Sequence, residues 1–199
     1  MYRVYGDVLS GNCYKVKLLL EQLRLPYEWI AVDILKQETR TPDFLIKNPN
    51  GKIPLLELAD DEFLSESNAI LYFLAEGSHL FPTERYLQAQ VMQWLFFEQY
   101  SHEPYIATAR YIIRYLGRPH DLEETLQAKI PSGCKALRIM DSHLSKHDFF
   151  VDDRYTIADI ALFAYTHVAE EGGFGLAEYP AIQAWITRVK SQPDYVTIG

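Results

Sequence analysis

The hydrophobic positions change period along the chain, and the changes mark out its elements. Tyr2 to Tyr5 reads as a strand and Gly6 to Gly11 as a loop. From Asn12 or Cys13 onward Val16, Leu19, Leu20 and Leu23 recur at the helical period, until Leu25-Pro26 ends the run. Tyr27 to Val32 predicts a second strand, so the chain opens on a β-α-β unit whose strands should be parallel and whose crossover should be right-handed. Lys36 to Arg40 is polar and turn-like. Thr41-Pro42-Asp43-Phe44-Leu45 then has the order of an N-cap, a proline at the first helical position and a short helix. Pro54 to Leu58 and Glu62 to Leu64, separated by Ala59-Asp60-Asp61, predict an antiparallel hairpin. Pro54 stands where a strand should begin, one of the few strand positions that tolerate a residue without an N–H. After Glu66-Ser67, the positions Ala69, Ile70, Phe73 and Leu74 predict a helix ending near Gly77.

Beyond His79-Leu80-Phe81-Pro82-Thr83 strand alternation gives way to helical spacing. Tyr86 to Leu116 predicts one long helix rich in aromatics, kinked at Pro104. Leu122 to Leu144 predicts a second, interrupted at Pro131-Ser132-Gly133. Thr156-Ile157-Ala158-Asp159 has capping-box spacing, with Asp in place of the usual Glu or Gln. Gly172-Gly173-Phe174-Gly175 follows a helix and lacks the strand, spacing and Lys of a phosphate loop, so it is read as a plain loop. Pro180 to Val189 predicts the last helix. The expected fold class is α/β plus all-α: a βαβαββα domain over residues 1–77, a linker over 78–87 and an all-helical domain over 88–199.

Composition narrows the function classes. The 199 residues are 48% apolar and 23% charged, with a net charge of -8, so neither a nucleic acid nor an anionic membrane is expected as the main partner. No apolar run reaches the length of a membrane span, and a cytoplasmic protein is expected. Two cysteines, Cys13 and Cys134, cannot make a disulfide framework, which fits a reducing compartment. His143 and His147 share the i, i+4 spacing, yet lack the acid and third ligand that a zinc site needs, so no metal is expected.

The order βαβαββα, with a cis-proline candidate at Ile53-Pro54, resembles the thioredoxin-like domain of glutathione transferases. Three stretches carry the likeness: Ser10 with Asn12-Cys13 opening the first helix, Asn48 to Pro54 as the turn, and Glu66-Ser67 opening the third helix. Thr156 and Asp159 are similar to the buried capping motif in the helical domain of the same family. The resemblance implies glutathione as co-substrate, held as its thiolate. A thiol with a pKa near 8.5 is mostly protonated at neutral pH, so the protein must stabilise the anion. Ser10, in the loop leading to a helix N-terminus, is the proposed donor to the sulfur, and Asn12 is its rival. Cys13 lies at the same helix start, but without a C-x-x-C pattern it is expected to pack.

For the rest of the tripeptide the resemblance implies the Ile53 main chain as partner of the cysteinyl amide, left free by Pro54 if the bond is cis. Glu66 takes the ammonium, Ser67 the γ-glutamyl carboxylate, and Lys52 or Thr39 the glycyl carboxylate. It further implies an apolar second-substrate pocket between the domains, for which Tyr100, Tyr105 and Tyr111 are candidates, and a two-fold homodimer. The leading expectation is a glutathione transferase acting on hydrophobic electrophiles. The alternatives are a glutathione-dependent disulfide reductase or peroxidase, and a non-catalytic interaction protein on the same fold.

Overall fold

Strand β1 (Tyr2–Gly6) is the organising strand of a four-stranded sheet, with β2 (Tyr27–Ala31) on one side and β3 (Leu55–Glu57) and β4 (Phe63–Ser65) on the other, in the order β2-β1-β3-β4. β1 and β2 are parallel, from Tyr2 opposite Tyr27 to Gly6 opposite Ala31, as the β-α-β reading requires. β3 runs antiparallel to β1, and β4 antiparallel to β3. The computed structural model describes residues 1–58 and 61–199; of the hairpin turn read at Ala59-Asp60-Asp61, the first two residues lie outside the described residues.

Alternation along β1 divides the sheet into two faces. Tyr5 and Leu55 point to one of them and pack with Val32 and with Phe44 of helix α2 (Pro42–Lys47). Val4 and Gly6 point to the other. There a Cβ on Gly6 would stand 2.9 Å from the Trp29 ring and 3.0 Å from Cys13 Sγ on helix α1 (Gly11–Gln22), so only glycine fits between sheet and helix. Helix α3 (Ser67–Ala75) packs beside α1, and Val16, Leu19, Leu20, Ile70 and Leu71 are fully buried.

The chain forms two compact units, Met1–Ser78 with Pro193–Gly199, and His79–Gln192. The C-terminal seven residues, counted in the sequence with the helical domain, thus group with the first unit. Two contacts hold them there: Tyr14 donates its hydroxyl to Val196 O at 2.7 Å, and Arg24 pairs with Asp194 at 2.9 Å.

The second unit is helical. Its first path runs through α4 (Arg85–Phe97), a π-helical turn at Glu98–His102, α5 (Glu103–Arg110) and a second π turn at Tyr111–Tyr115. The expected irregularity at Pro104 takes the form of the wide turn just before it, since proline cannot donate to the preceding carbonyls. Helix α6 (Glu123–Leu144) then corrects the sequence reading, because its 22 residues are unbroken at Pro131. Pro131 lies on the exposed side, where the carbonyl it leaves without an N–H partner can turn to water. Gly133 is there for packing: a Cβ would come within 2.3 Å of the Phe174 ring.

Helix α7 (Ile157–Thr166) has all ten of its residues buried, and α8 (Pro180–Lys190) buries Ile182, Trp185 and Val189. The capping box is formed. Asp159 Oδ2 accepts from Thr156 N at 2.9 Å and from the Thr156 hydroxyl, while Oδ1 accepts from Phe150 N and from Trp185 Nε1 at 2.9 Å. Among the described residues no helix is long and apolar enough to cross a membrane.

Candidate functional site

Two helix starts on the first unit, far apart in sequence, define the site. At the first, Ser10 is the N-cap of α1, in extended conformation, and its Oγ accepts from Cys13 N at 3.4 Å. Asp7 supports the loop by accepting from Leu9 N through Oδ1 and from Ser10 N through its main chain. Cys13 lies at the same helix start, its thiol against Gly6 of the sheet and within hydrogen-bonding reach of the Ser10 side chain and the Asp7 main chain. It is wholly buried, and burial is the chief cause pushing its thiol up to about 12, so it stays protonated and packs as the sequence reading expected.

The second start is unusual. Glu66 has φ of +68°, a value that non-glycine residues adopt only when their surroundings hold them there. It is exposed, while Ser67, the first residue of α3, is buried. Helices α1, α2 and α7 each receive a side-chain cap, from Ser10, Thr41 and Thr156, whereas α3, like α4, α5, α6 and α8, has none. A helix start without a side-chain cap leaves main-chain N–H groups that a carboxylate can meet.

A short network joins the two starts. The Ser67 hydroxyl donates to Asn12 Oδ1 at 3.2 Å, and Lys15 Nζ donates to Ser67 Oγ at 3.3 Å and to Asn68 Oδ1 at 3.5 Å. Asn12 and Ser67 are 55 residues apart in sequence, yet belong to one corner of the fold. Residues 9–76 match the glutathione S-transferase N-terminal domain, and residues 94–193 match the glutathione S-transferase C-terminal domain.

The chain belongs to the glutathione S-transferase family. It is similar to a crystal structure described as a glutathione S-transferase from Pseudomonas fluorescens, with 59% identity, a TM-score of 0.97 and coverage of 99% of this chain and 98% of that one. Among curated relatives it is 31% identical to glutathione S-transferase GstB of Escherichia coli, over 97% of this chain and 95% of that protein. It is 29% identical to the disulfide-bond oxidoreductase YfcG of the same organism, over 92% of this chain and 88% of that protein.

The remaining residues of this transferase fold cluster around the turn before β3. The Ile53-Pro54 peptide bond is cis, and Ile53 stands two residues ahead of the first ladder pair of β3, Leu55 with Tyr5. Asn48 shapes the turn: its Nδ2 donates to Lys52 O at 2.8 Å and its Oδ1 accepts from Asn50 N at 3.1 Å. Gly51, at φ of +61°, passes so close to residues 39 and 40 that a Cβ would meet the Arg40 guanidinium at 2.6 Å and Thr39 O at 3.0 Å. Thr39 is buried and Lys52, next to Gly51 in the chain, is exposed, while Arg40 Nη1 donates to Asn50 O at 3.3 Å.

In the helical unit Tyr100 and Tyr105 line a cleft of about 340 Å³ with Phe97, Ser101, Ser132, Lys135, Ala136 and Ile139. Tyr111 is elsewhere, 5.3 Å from the Tyr115 ring between centroids. Thr156 and Asp159 are buried and engaged in the capping box of α7. His143 and His147 stack at 4.6 Å, and His147 pairs with Asp153. Among the described residues no group of three or more His, Cys, Asp or Glu could hold a metal ion.

Sequence reasoning missed Lys15 and Arg40. Lys15 had a readable signal, because it lies three residues after Asn12 and four before Leu19, on the apolar stripe of α1 where a lysine is out of place. Arg40 had none; only the close approach of Gly51 puts it beside the turn.

Proposed function

We propose that this protein binds glutathione as its thiolate and transfers it to the carbon of a small hydrophobic electrophile. The observation that carries the reading is the contact between Ser67 and Asn12, which makes one site of two stretches that each match half of a tripeptide. The uncapped start of α3 and the Ser67 hydroxyl take the γ-glutamyl carboxylate, and exposed Glu66 takes the adjacent ammonium. The Ile53 main chain pairs with the cysteinyl amide. Thr39 or Lys52 meets the glycyl carboxylate.

Ser10 and Asn12 then lie at the α1 end, where the sulfur belongs. A hydrogen bond to a charged acceptor is worth about 1.5–3 kcal/mol, or about one to two pKa units, which brings a bound thiol near neutrality. In the transfer step the sulfur–carbon bond forms and the leaving group departs with its electron pair. Tyr100 and Tyr105 are the proposed aromatic contacts for the electrophile, and Tyr111, set apart from their cleft, is the weaker candidate.

The similarity to a named disulfide-bond oxidoreductase supports a second reading, in which the same thiolate attacks a disulfide sulfur. The test is to assay purified protein with glutathione against a chloronitrobenzene, a small disulfide and an organic hydroperoxide, alongside Ser10→Ala, Asn12→Ala and Cys13→Ala. Conjugation dominating, with loss in the Ser10 or Asn12 variant, supports the transferase. Dominant disulfide reduction moves the protein to the second reading. Full activity in Ser10→Ala and Asn12→Ala with loss in Cys13→Ala would falsify the thiolate assignment. The two-fold dimer belongs to the same proposal, with Tyr72 and Phe73 on α3 and Phe96 on α4 exposed at 43%, 40% and 65%; sedimentation of the native protein as a monomer removes it. A cytoplasmic setting is proposed with it, consistent with two free cysteines.

A further inference from the structure

The cleft in the helical unit carries more chemistry than its two tyrosine rings. Its walls come from the segment that runs through the π-helical turn at Glu98–His102 and from one face of α6, on which Ser132, Lys135 and Ile139 recur at helical spacing. Phe97, Tyr105 and Ile139 make it apolar, and at about 340 Å³ it has the size of a small-ligand site.

The polar groups along it are donors that the fold does not use. Hydroxyls elsewhere in this unit turn back on the preceding turn of helix: Thr166 donates to Leu162 O, Thr187 to Gln183 O and Ser145 to Ser142 O. Ser101 and Ser132 make no such bond among the described residues, and both line the cleft. Lys135 differs from its neighbours in the same way. Arg110, Arg114, Arg118, Arg154 and Arg188 of this unit each stand beside a carboxylate, whereas among the described residues no acidic side chain pairs with Lys135 and none lines the cleft. Lys129, earlier on α6, adds a second cation, with its Nζ 5.7 Å from the centroid of the Tyr105 ring.

A chain of net charge -8 repels anions at long range, so an acid-free cleft with an unpaired ammonium at its wall is a local exception. A carboxylate accepts from an ammonium and from hydroxyls together, while a ring that bears it lies against aromatic walls. We infer that the electrophile is an aromatic acid, one ring bearing a leaving group and an anionic substituent, and that Lys135 selects it by pairing with the anion. The inference rests on the reading of this cleft as the electrophile's site and names the substrate class that the site takes. In the transfer the glutathione sulfur bonds to the ring carbon, the leaving group departs as an anion with the bonding electron pair, and the anionic substituent is unchanged.

The test compares conjugation of a chloronitrobenzoate with that of the corresponding uncharged chloronitrobenzamide, which share ring and leaving group, in the native protein, Lys135→Met and Lys135→Arg. The native protein is expected to show a KM about fivefold lower for the acid at low ionic strength, a preference that narrows as salt is added. Lys135→Met should bring the two KM values together and leave the ratio of the two kcat values where it was, because the pairing is made equally before and during transfer; Lys135→Arg should keep the preference. Equal KM values in the native protein, or a preference that survives in Lys135→Met, overturns the role of Lys135 and leaves the transfer reading intact. The salt dependence is read on the native protein alone, so it decides the matter even if Lys135→Met does not fold: a preference indifferent to salt overturns the ion pair. Conjugation of neither compound removes the transfer reading and this inference with it.

Discussion

At the scale of single residues, half-buried His167 and buried Asp159 of the helical unit respond to pH with opposite signs. Burial lowers His167 to about 4, and its Nδ1 lies 2.7 Å from Phe163 O. An unfolded histidine titrates near 6.5, so between about pH 4 and 6.5 the unfolded chain binds the extra proton and His167 adds stability as pH rises. Asp159 is the reverse. Burial raises it to about 6 against about 3.9 unfolded, so it subtracts stability as pH rises across nearly the same window. His167→Gln is therefore expected to remove only the first effect. Denaturant midpoints should show the native protein gaining on the variant as pH rises from about 4 to 6.5, and a flat difference means His167 is not buried neutral. Asp159→Ala should cost on the order of 3 kcal/mol or more at neutral pH, because the N–H groups of Phe150, Thr156 and Trp185 all lose an acceptor.

At the scale of elements, the sequence was legible wherever local chemistry decides the backbone. Thr41-Pro42 started a helix, Thr156-x-x-Asp159 closed its box, and the strand alternation around β1 fell in register with β2. Pro131 was misread because its cost depends on which side of the helix it faces, and one chain position does not reveal that. Gly133 shows the same dependence. Gly133→Ala raises intrinsic helix propensity, yet it should destabilise by about 1–3 kcal/mol because the Cβ overlaps Phe174. Thermal unfolding checks the sign, and a stabilised variant would mean that Phe174 yields easily. Ser10→Ala should also lose about 0.5–2 kcal/mol of helix stability through the cap to Cys13 N, so its activity must be compared at temperatures where both proteins are folded.

At the scale of the whole molecule, ligand binding and folding are linked. Glutathione at about one hundred times its dissociation constant should add about 2.7 kcal/mol to stability, seen as a rise in the unfolding midpoint. Glu66→Ala and Ser67→Ala should blunt that rise more than Lys52→Ala, since Thr39 and Arg40 lie close to the turn that carries Lys52 and share its end of the tripeptide. An equal loss in all three variants would mean that the two ends of the tripeptide contribute alike.

From the sequence alone came the two-part architecture, the strand and helix order, the capping motifs and the candidate stretches around Ser10, Pro54 and Glu66-Ser67. These follow from periodicity, backbone restriction and side-chain capping, which act over a few residues. What only the tertiary structure decided were the relations across long separations: that Asn12 meets Ser67, that Arg40 comes against Asn50 and Gly51, and that Tyr111 stands apart from Tyr100 and Tyr105. Lys15 illustrates the division. The sequence places it on the buried face of α1, but the Ser67 hydroxyl that its ammonium meets is brought there by packing, from 52 residues away.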